Sequence, residues 1–218
     1  MTSTSASPIE DKPRRRTYRH GDLRQALIAA GLELARQGGP DAVVLREVTR
    51  RVGVVPNAAY RHFASRDDLL DAVRSAALSQ LARSMEAEIE TIAPALAPAD
   101  RARQMLRAVG RSYLRFAEQE PGLFRTAFVP IEVVEGVTDP AKAGKSGLNP
   151  FQLLGAALDA MVDAGVLPAE RRPGAEYLAW STVHGLAMLR LQGPLGRVPT
   201  EQWQQMQAHA LDMVERGL

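Results

Sequence analysis

Along most of the chain, apolar side chains recur at the three- and four-residue spacing of a single helix face. Leu23, Leu27, Ala30 and Leu34 stand at i, i+4, i+7 and i+11, predicting a first helix that starts near Asp22, where a carboxylate suits the N-terminal dipole. Gly38-Gly39-Pro40 ends it. A short second helix follows, with Leu45, Val48 and Val52 inward and Arg46, Arg50 and Arg51 outward. Gly53 stops that helix, because glycine adopts the left-handed conformation at little cost. A third short helix is predicted over 57–63. Ser65 then caps a long helix reaching about residue 92, with Asp67 and Asp68 in its first turn and Leu69, Val73, Ala76 and Leu81 along its apolar stripe. Pro94 and Pro98 interrupt the pattern. A helix over 100–118 turns at "EQEPGLFRTAF" into a short piece. Residues 130–150, rich in glycine, proline and polar side chains, predict a mobile loop. Further helices are predicted over 150–164, 174–192 and 200–216. With no strand-like alternation, the expectation is an all-α chain: a polar arm over 1–19 that is disordered alone, a three-helix head over 20–65 and a larger helical body over 66–218.

Composition narrows the function classes. The 218 residues contain no cysteine, which excludes disulfides, thiolate metal sites and cysteine nucleophiles. No apolar run reaches the length of a membrane span, and the N-terminus lacks the apolar core of a signal peptide, so a cytoplasmic protein with no membrane partner is expected. Charge is uneven: residues 1–75 carry a net +4 and the remainder −2. A basic head on a mildly acidic body points to a polyanionic partner. Arg14, Arg15 and Arg16 form one basic block. Two readings stay open for it: a solvated charge run in a flexible tail, or an arm that enters a minor groove or follows a phosphate backbone.

The stretch "VGVVPNAAYRHFASRDDLL" joins two short helices through a glycine-containing turn, which is helix-turn-helix spacing. In that motif the second helix enters the DNA major groove, N-terminus first. Pro56 and Asn57 open it here, with small Ala58 and Ala59 behind, and Asn57 can both donate to and accept from a base edge. Tyr60, Arg61 and His62 lie along the flanks, where their donors reach phosphates, and Arg46 adds a basic group on the preceding helix. Phe63 is predicted to fill the core of the head.

The segment "VLREVTRRVGVVPNAAYRHFASRDDLLDAV" resembles the DNA-binding head of the tetracycline-repressor-like (TetR) transcriptional regulators. The positions that carry the resemblance are Gly53, Val54, Pro56, Tyr60, His62, Phe63, Ser65, Arg66, Asp67, Leu69 and Leu70. Arg66 replaces a lysine common in the family, which the resemblance implies touches a phosphate; a guanidinium can do the same. Thr49 and Val52 stand where the family commonly has alanine, and Ala59 where it often has a larger aliphatic residue. In the body, "EYLAWSTVHGLAMLRLQG" is similar to a Trp-x-x-x-His-Gly signature of one TetR branch, and "RSYLRFAEQEPGLFRTAF" to its helix-to-helix corner.

The resemblance implies a small molecule bound between body helices. The large side chains Met105, Tyr113, Phe116, Phe124, Phe128, Met161, Trp180 and Met188 are core by default and the candidates for lining such a cavity. His184 shares a face with Tyr177 and Trp180; it is either a buried hydrogen-bonded histidine or a polar handle for the ligand. His20, His62 and His209 have no ligand spacing with it, so no metal or other cofactor is expected. The 174–192 helix is apolar almost all round, so something covers most of its sides. By resemblance it pairs, with the 150–164 helix, against a second copy; the alternative is a monomer covered by the last helix. The expected protein is a homodimeric repressor that leaves a palindromic operator when an unknown small-molecule effector binds. An activator of the same fold, or a small-molecule-binding protein without specific DNA binding, are the alternatives. No phosphate loop, paired catalytic carboxylates or nucleophile with its base suggests an enzyme.

Overall fold

The structure is a computed structural model that describes residues 20–129 and 139–218. The expected arm over 1–19, with Arg14, Arg15 and Arg16, and the first half of the expected loop lie outside the described residues. Among the described residues every regular element is helical. In chain order these are α1 (His20–Gly38), α2 (Leu45–Val52), α3 (Pro56–Ala59), α4 (Arg66–Glu90), α5 (Pro98–Gln119), α6 (Pro121–Ala127), α7 (Pro150–Asp163), α8 (Ala175–Gln192) and α9 (Thr200–Gly217).

Helices α1 to α3 pack around Leu27, Val43, Val48, Ala59, Phe63 and Leu69, all buried. The core continues without a break along α4 through Val73, Leu81 and Met85 into the body, where α5 is the central helix and touches α4, α6, α7, α8 and α9. Helix α4 therefore belongs to both halves. Its start is fixed by a capping box: the Ser65 hydroxyl accepts from Asp68 N at 3.0 Å, and Asp68 Oδ2 accepts from Ser65 N at 3.1 Å. At the other end of the head, α6 is clamped to α1. Gly122 lies so close that a Cβ there would sit 2.2 Å from Ala35 O, and Arg36 Nε donates to Glu120 at 2.8 Å.

The expected mobile loop is in part an anchored strap. Residues 139–149 run along α4, held at three points: Ser75 Oγ to Asp139 Oδ2 at 3.3 Å, Ser79 Oγ to Ala143 O at 2.6 Å, and the Glu86 carboxylate. Glu86 accepts from Lys145 N and Ser146 N, each at 2.7 Å. Burial works to raise the pKa of Glu86, but the Ser146 and Lys145 hydrogen bonds outweigh it and hold the carboxyl below its ordinary value. Composition pointed to mobility because the anchors are single side chains on another helix, which no local pattern reveals.

The last helix does not complete the cover of α8. Helix α9 packs on α5 and α8 through Leu211 and Val214, while Tyr177, Leu178 and Leu189 of α8 and Met213 of α9 stay exposed. Leu178, Thr182, Gly185 and Leu189 form one stripe on α8, and a Cβ at Gly185 would meet nothing within 4 Å. Among the described residues of the body, the large exposed apolar groups thus fall on α8 and α9, whereas α7, expected to share the interface, buries Leu153, Leu154, Leu158 and Met161.

Candidate DNA-reading helix and ligand cavity

The turn between α2 and α3 is built by one glycine. Gly53 has φ 75° and ψ 31°, its N–H donates to Arg50 O at 3.3 Å, and Val54 N donates to Thr49 O at 3.0 Å. This pair of bonds satisfies the last carbonyls of α2 and turns the chain sharply. Pro56 then starts α3, where its missing N–H costs nothing. The α-helix is shorter than expected. It closes after Ala59 and continues as turns, with Tyr60 N on Pro56 O at 3.3 Å and Phe63 N on Ala59 O at 2.9 Å. Phe63 must reach the buried centre of the head while Ser65 opens α4 in a new direction, so the chain cannot carry the helix to residue 63.

Ala59 faces the core; Pro56, Asn57, Tyr60 and Arg61 are exposed, and Ala58 and His62 are half-buried. Arg46 is exposed on α2, and among the described residues neither Arg46 nor Arg61 is engaged in an ion pair. By contrast, Arg50 is tied to Glu47 at 2.6 Å and Arg51 to Gln37 at 2.8 Å. Val55, 69% exposed just before α3, is a further member of this surface. Sequence pattern gave it no weight, because a valine before a proline looks like ordinary turn packing. Arg66 stands apart. Its Nε donates to Val43 O at 3.0 Å and one Nη to Pro40 O at 2.9 Å, so the guanidinium bolts the 40–43 turn to the start of α4 and has only its remaining edge for a phosphate.

In the body, α4, α5, α7, α8 and α9 enclose a cavity of ≈ 340 Å³. Of the nine candidates, Tyr113, Phe128 and Trp180 lie on its wall. Phe116, Phe124 and Met161 are buried in the packing behind it, and Met105 and Met188 are partly buried against the same core. Helical spacing finds the side chains that point inward but not which of them border a void. The wall also includes Leu78, Met85, Phe151, Arg74, Arg107 and Lys142. The cationic members escaped sequence reasoning because a charged side chain on an amphipathic helix is read as solvated.

His184 stands one layer behind the wall. Trp180 Nε1 donates to Tyr113 Oη at 3.2 Å, and Tyr113 Oη lies 2.6 Å from His184 Nδ1. The indole can only donate, so the phenol accepts from it; the second bond, between Tyr113 Oη and His184 Nδ1, takes its direction from the imidazole tautomer. Burial lowers the pKa of His184, keeping the ring neutral, and pushes the Tyr113 phenol far above its ordinary range. Phe124 stacks on the imidazole at 5.8 Å and Phe128 meets it edge-on at 5.1 Å. This network orders the aromatic end of the cavity.

Residues 27–73 match the family model of bacterial regulatory proteins of the tetR family. Residues 106–214, half of the chain, match that of the tetracyclin repressor-like C-terminal domain. The chain belongs to the TetR family. It is a DNA-binding transcriptional regulator, with the helix-turn-helix head and helical body of that family. No curated protein matches it in sequence. Among solved structures, a protein of unknown function from Rhodococcus sp. RHA1 is similar with TM-score 0.71 and 25% identity, over 94% of this chain and 99% of the other. The transcriptional regulator FadR from Bacillus subtilis, in complex with stearoyl-CoA, shares the fold at TM-score 0.63 and 14% identity, over 89% and 98%. A TetR variant from Acinetobacter baumannii AYE, in complex with minocycline, does so at TM-score 0.59 and 20% identity, over 88% and 93%. Among the described residues no helix is long and apolar enough to cross a membrane.

Proposed function

We propose that this TetR-family protein is a homodimeric repressor that a small molecule in the body cavity releases from its operator. The observation that carries the reading is the dual membership of α4: its first turn is bolted to the head by Arg66, and its middle forms the cavity wall through Arg74, Leu78 and Met85. A ligand that binds one tilt of α4 better than another shifts the heads by that difference in affinity, and by nothing else. The exposed apolar face of α8 and α9 supports pairing of two copies there, with bare Gly185 allowing close approach of the partner helix. Two heads then address successive major grooves about 34–36 Å apart. Asn57 reads a base edge at the N-terminus of α3, Tyr60, Arg61, His62 and Arg46 hold phosphates, and Val55 offers an apolar contact to a thymine methyl.

The test is fluorescence anisotropy of the protein on DNA from upstream of its own gene against random DNA, at two salt concentrations, with and without a metabolite extract. Specific binding with a steep salt dependence, released by the extract, is the expected result. Asn57→Ala should cost operator binding about 1–3 kcal/mol and leave random DNA nearly unchanged, while Arg61→Ala should weaken both and reduce the salt slope by about 1. Equal loss on both DNAs for Asn57→Ala would sink the base-reading role.

A further inference from the structure

We infer that the cavity takes an amphipathic organic anion: a carboxylate or similar group held by Arg74, with an apolar body lying against Phe128, Trp180 and Phe151. The inference rests on the ligand-released reading above and names the chemistry of that ligand. The wall is mainly apolar, so its few charged members decide what polar group is tolerated.

Two arginines border the cavity, and their surroundings differ. Arg107 is held by two carboxylates: its Nε and one Nη are hydrogen-bonded to Glu215 and Asp212 of α9, so it serves as an ion-pair strut. Arg74 is not. Its Nε donates to Ala127 O at 3.1 Å, and among the described residues no other hydrogen bond engages its guanidinium. Nη1 is fully buried without a hydrogen-bond partner. That same Nη1 is ion-paired with Asp71 at 3.6 Å, beyond hydrogen-bond length, and the carboxylate is itself 58% exposed to water. A half-buried guanidinium whose ion pair is too long for a hydrogen bond still gains from an acceptor, and a carboxylate matches its fork. A second cation stands at the same end. Lys142 lines the cavity on the strap beside α4, its ammonium 3.9 Å from Asp139, which in turn accepts from Ser75, the neighbour of Arg74.

The aromatic side supplies no competing polar demand. The phenol of Tyr113 is occupied by Trp180 and His184, so a ligand gains nothing from a second hydroxyl or amine there. Phe128 follows directly on Ala127, whose carbonyl Arg74 holds, so the anion site and the aromatic wall are adjacent. The same bond makes the site regulatory. Arg74 ties α4 to the end of α6, and α6 is clamped on α1 through Gly122 and Glu120. An anion that draws Arg74 away from Ala127 O loosens the link between body and head.

The experiment is calorimetric binding of the full-length dimer to matched probes at neutral pH: decanoate, decanol and decylamine, then 2-naphthylacetate and 2-naphthylethanol. The acids are expected to bind at least about tenfold more tightly than the alcohols of the same skeleton, and the amine not at all, as a charge-assisted fork predicts. Arg74→Met should bring acid and alcohol together, and Arg74→Lys should keep part of the preference. Lys142→Met, which leaves the Ala127 bond intact, should narrow the gap even if the Arg74 variants fold poorly. Alcohols binding as well as acids, a preference for the amine, or no binding of any acid would overturn the proposal. Those results leave operator binding by the free protein untouched; absence of specific operator binding is the separate failure of the regulator reading.

Discussion

Replacing Gly122 by alanine should separate the head from the body at a calculable cost. The new Cβ would lie 2.2 Å from Ala35 O and 2.5 Å from Arg36 O, both backbone atoms of α1. Carbonyl oxygens inside a helix cannot rotate away, so α6 must withdraw by about 1 Å to restore ordinary contact. Such overpacking costs about 1–3 kcal/mol, and the rigid neighbours place this case at the upper end. At about 2–4 °C per kcal/mol for a chain of this size, the melting temperature should fall by roughly 6–12 °C. Gly110→Ala is the internal control. Its Cβ would meet Leu211 Cδ2 at 2.4 Å, the far end of a flexible side chain that can turn aside. Its loss should be at most a third of that at Gly122. Scanning calorimetry of the two variants beside the wild type gives the answer. Gly122→Ala melting within 2 °C of the wild type, a margin below about 1 kcal/mol, would refute the reasoning that α6 is fixed by backbone contact. Equal losses for both variants would show that neighbour flexibility does not set the cost.

Three other outcomes are expected. Leu178→Glu with Leu189→Glu should give a folded monomer in analytical ultracentrifugation, with unchanged helical circular dichroism, because both side chains are exposed within one copy. Glu86→Gln should cost about 1.5–3 kcal/mol at neutral pH in urea unfolding, since the strap loses charge-assisted hydrogen bonds. The carboxyl of Glu86 is held below 4.5 in the folded chain, so its stabilisation is present above that pH and lost as pH falls through the folded value; the variant should lack this acid limb. His184 is held below 6.5, so the wild type should lose stability as pH drops under 6.5, and His184→Asn should flatten that slope in pH-dependent melts.

Local signals made most of the head readable from sequence. The Gly53 turn, the Ser65 cap and the inward Leu45, Val48 and Phe63 all depend on neighbours within a few residues, and each is where the pattern placed it. The third helix ends earlier than its local pattern predicts, because propensity says nothing of Phe63 being pulled under the head. The body was legible as helices but not as a cavity. Whether Tyr113 borders a void while Phe124 does not depends on how five helices meet. The anchors of the strap, Ser75, Ser79 and Glu86, are ordinary helix residues until residues 139–149 come to lie beside them. Likewise Arg74 reads as a surface charge until Ala127 closes over it.

The strap turns α4 from a helix into a stiffened beam. Fastened at residues 75, 79 and 86, the beam resists bending over the segment that faces the cavity, so a push there is passed on as rotation rather than absorbed. Its 25 residues span about 37 Å, and a rotation of only about 5° about the far end moves Ser65 by roughly 3 Å. That is close to the ~3.4 Å rise of one base pair. Under the proposed function, a ligand of no more than a few hundred cubic ångströms would need only such a rotation to put a reading helix out of step with its site by about one base pair.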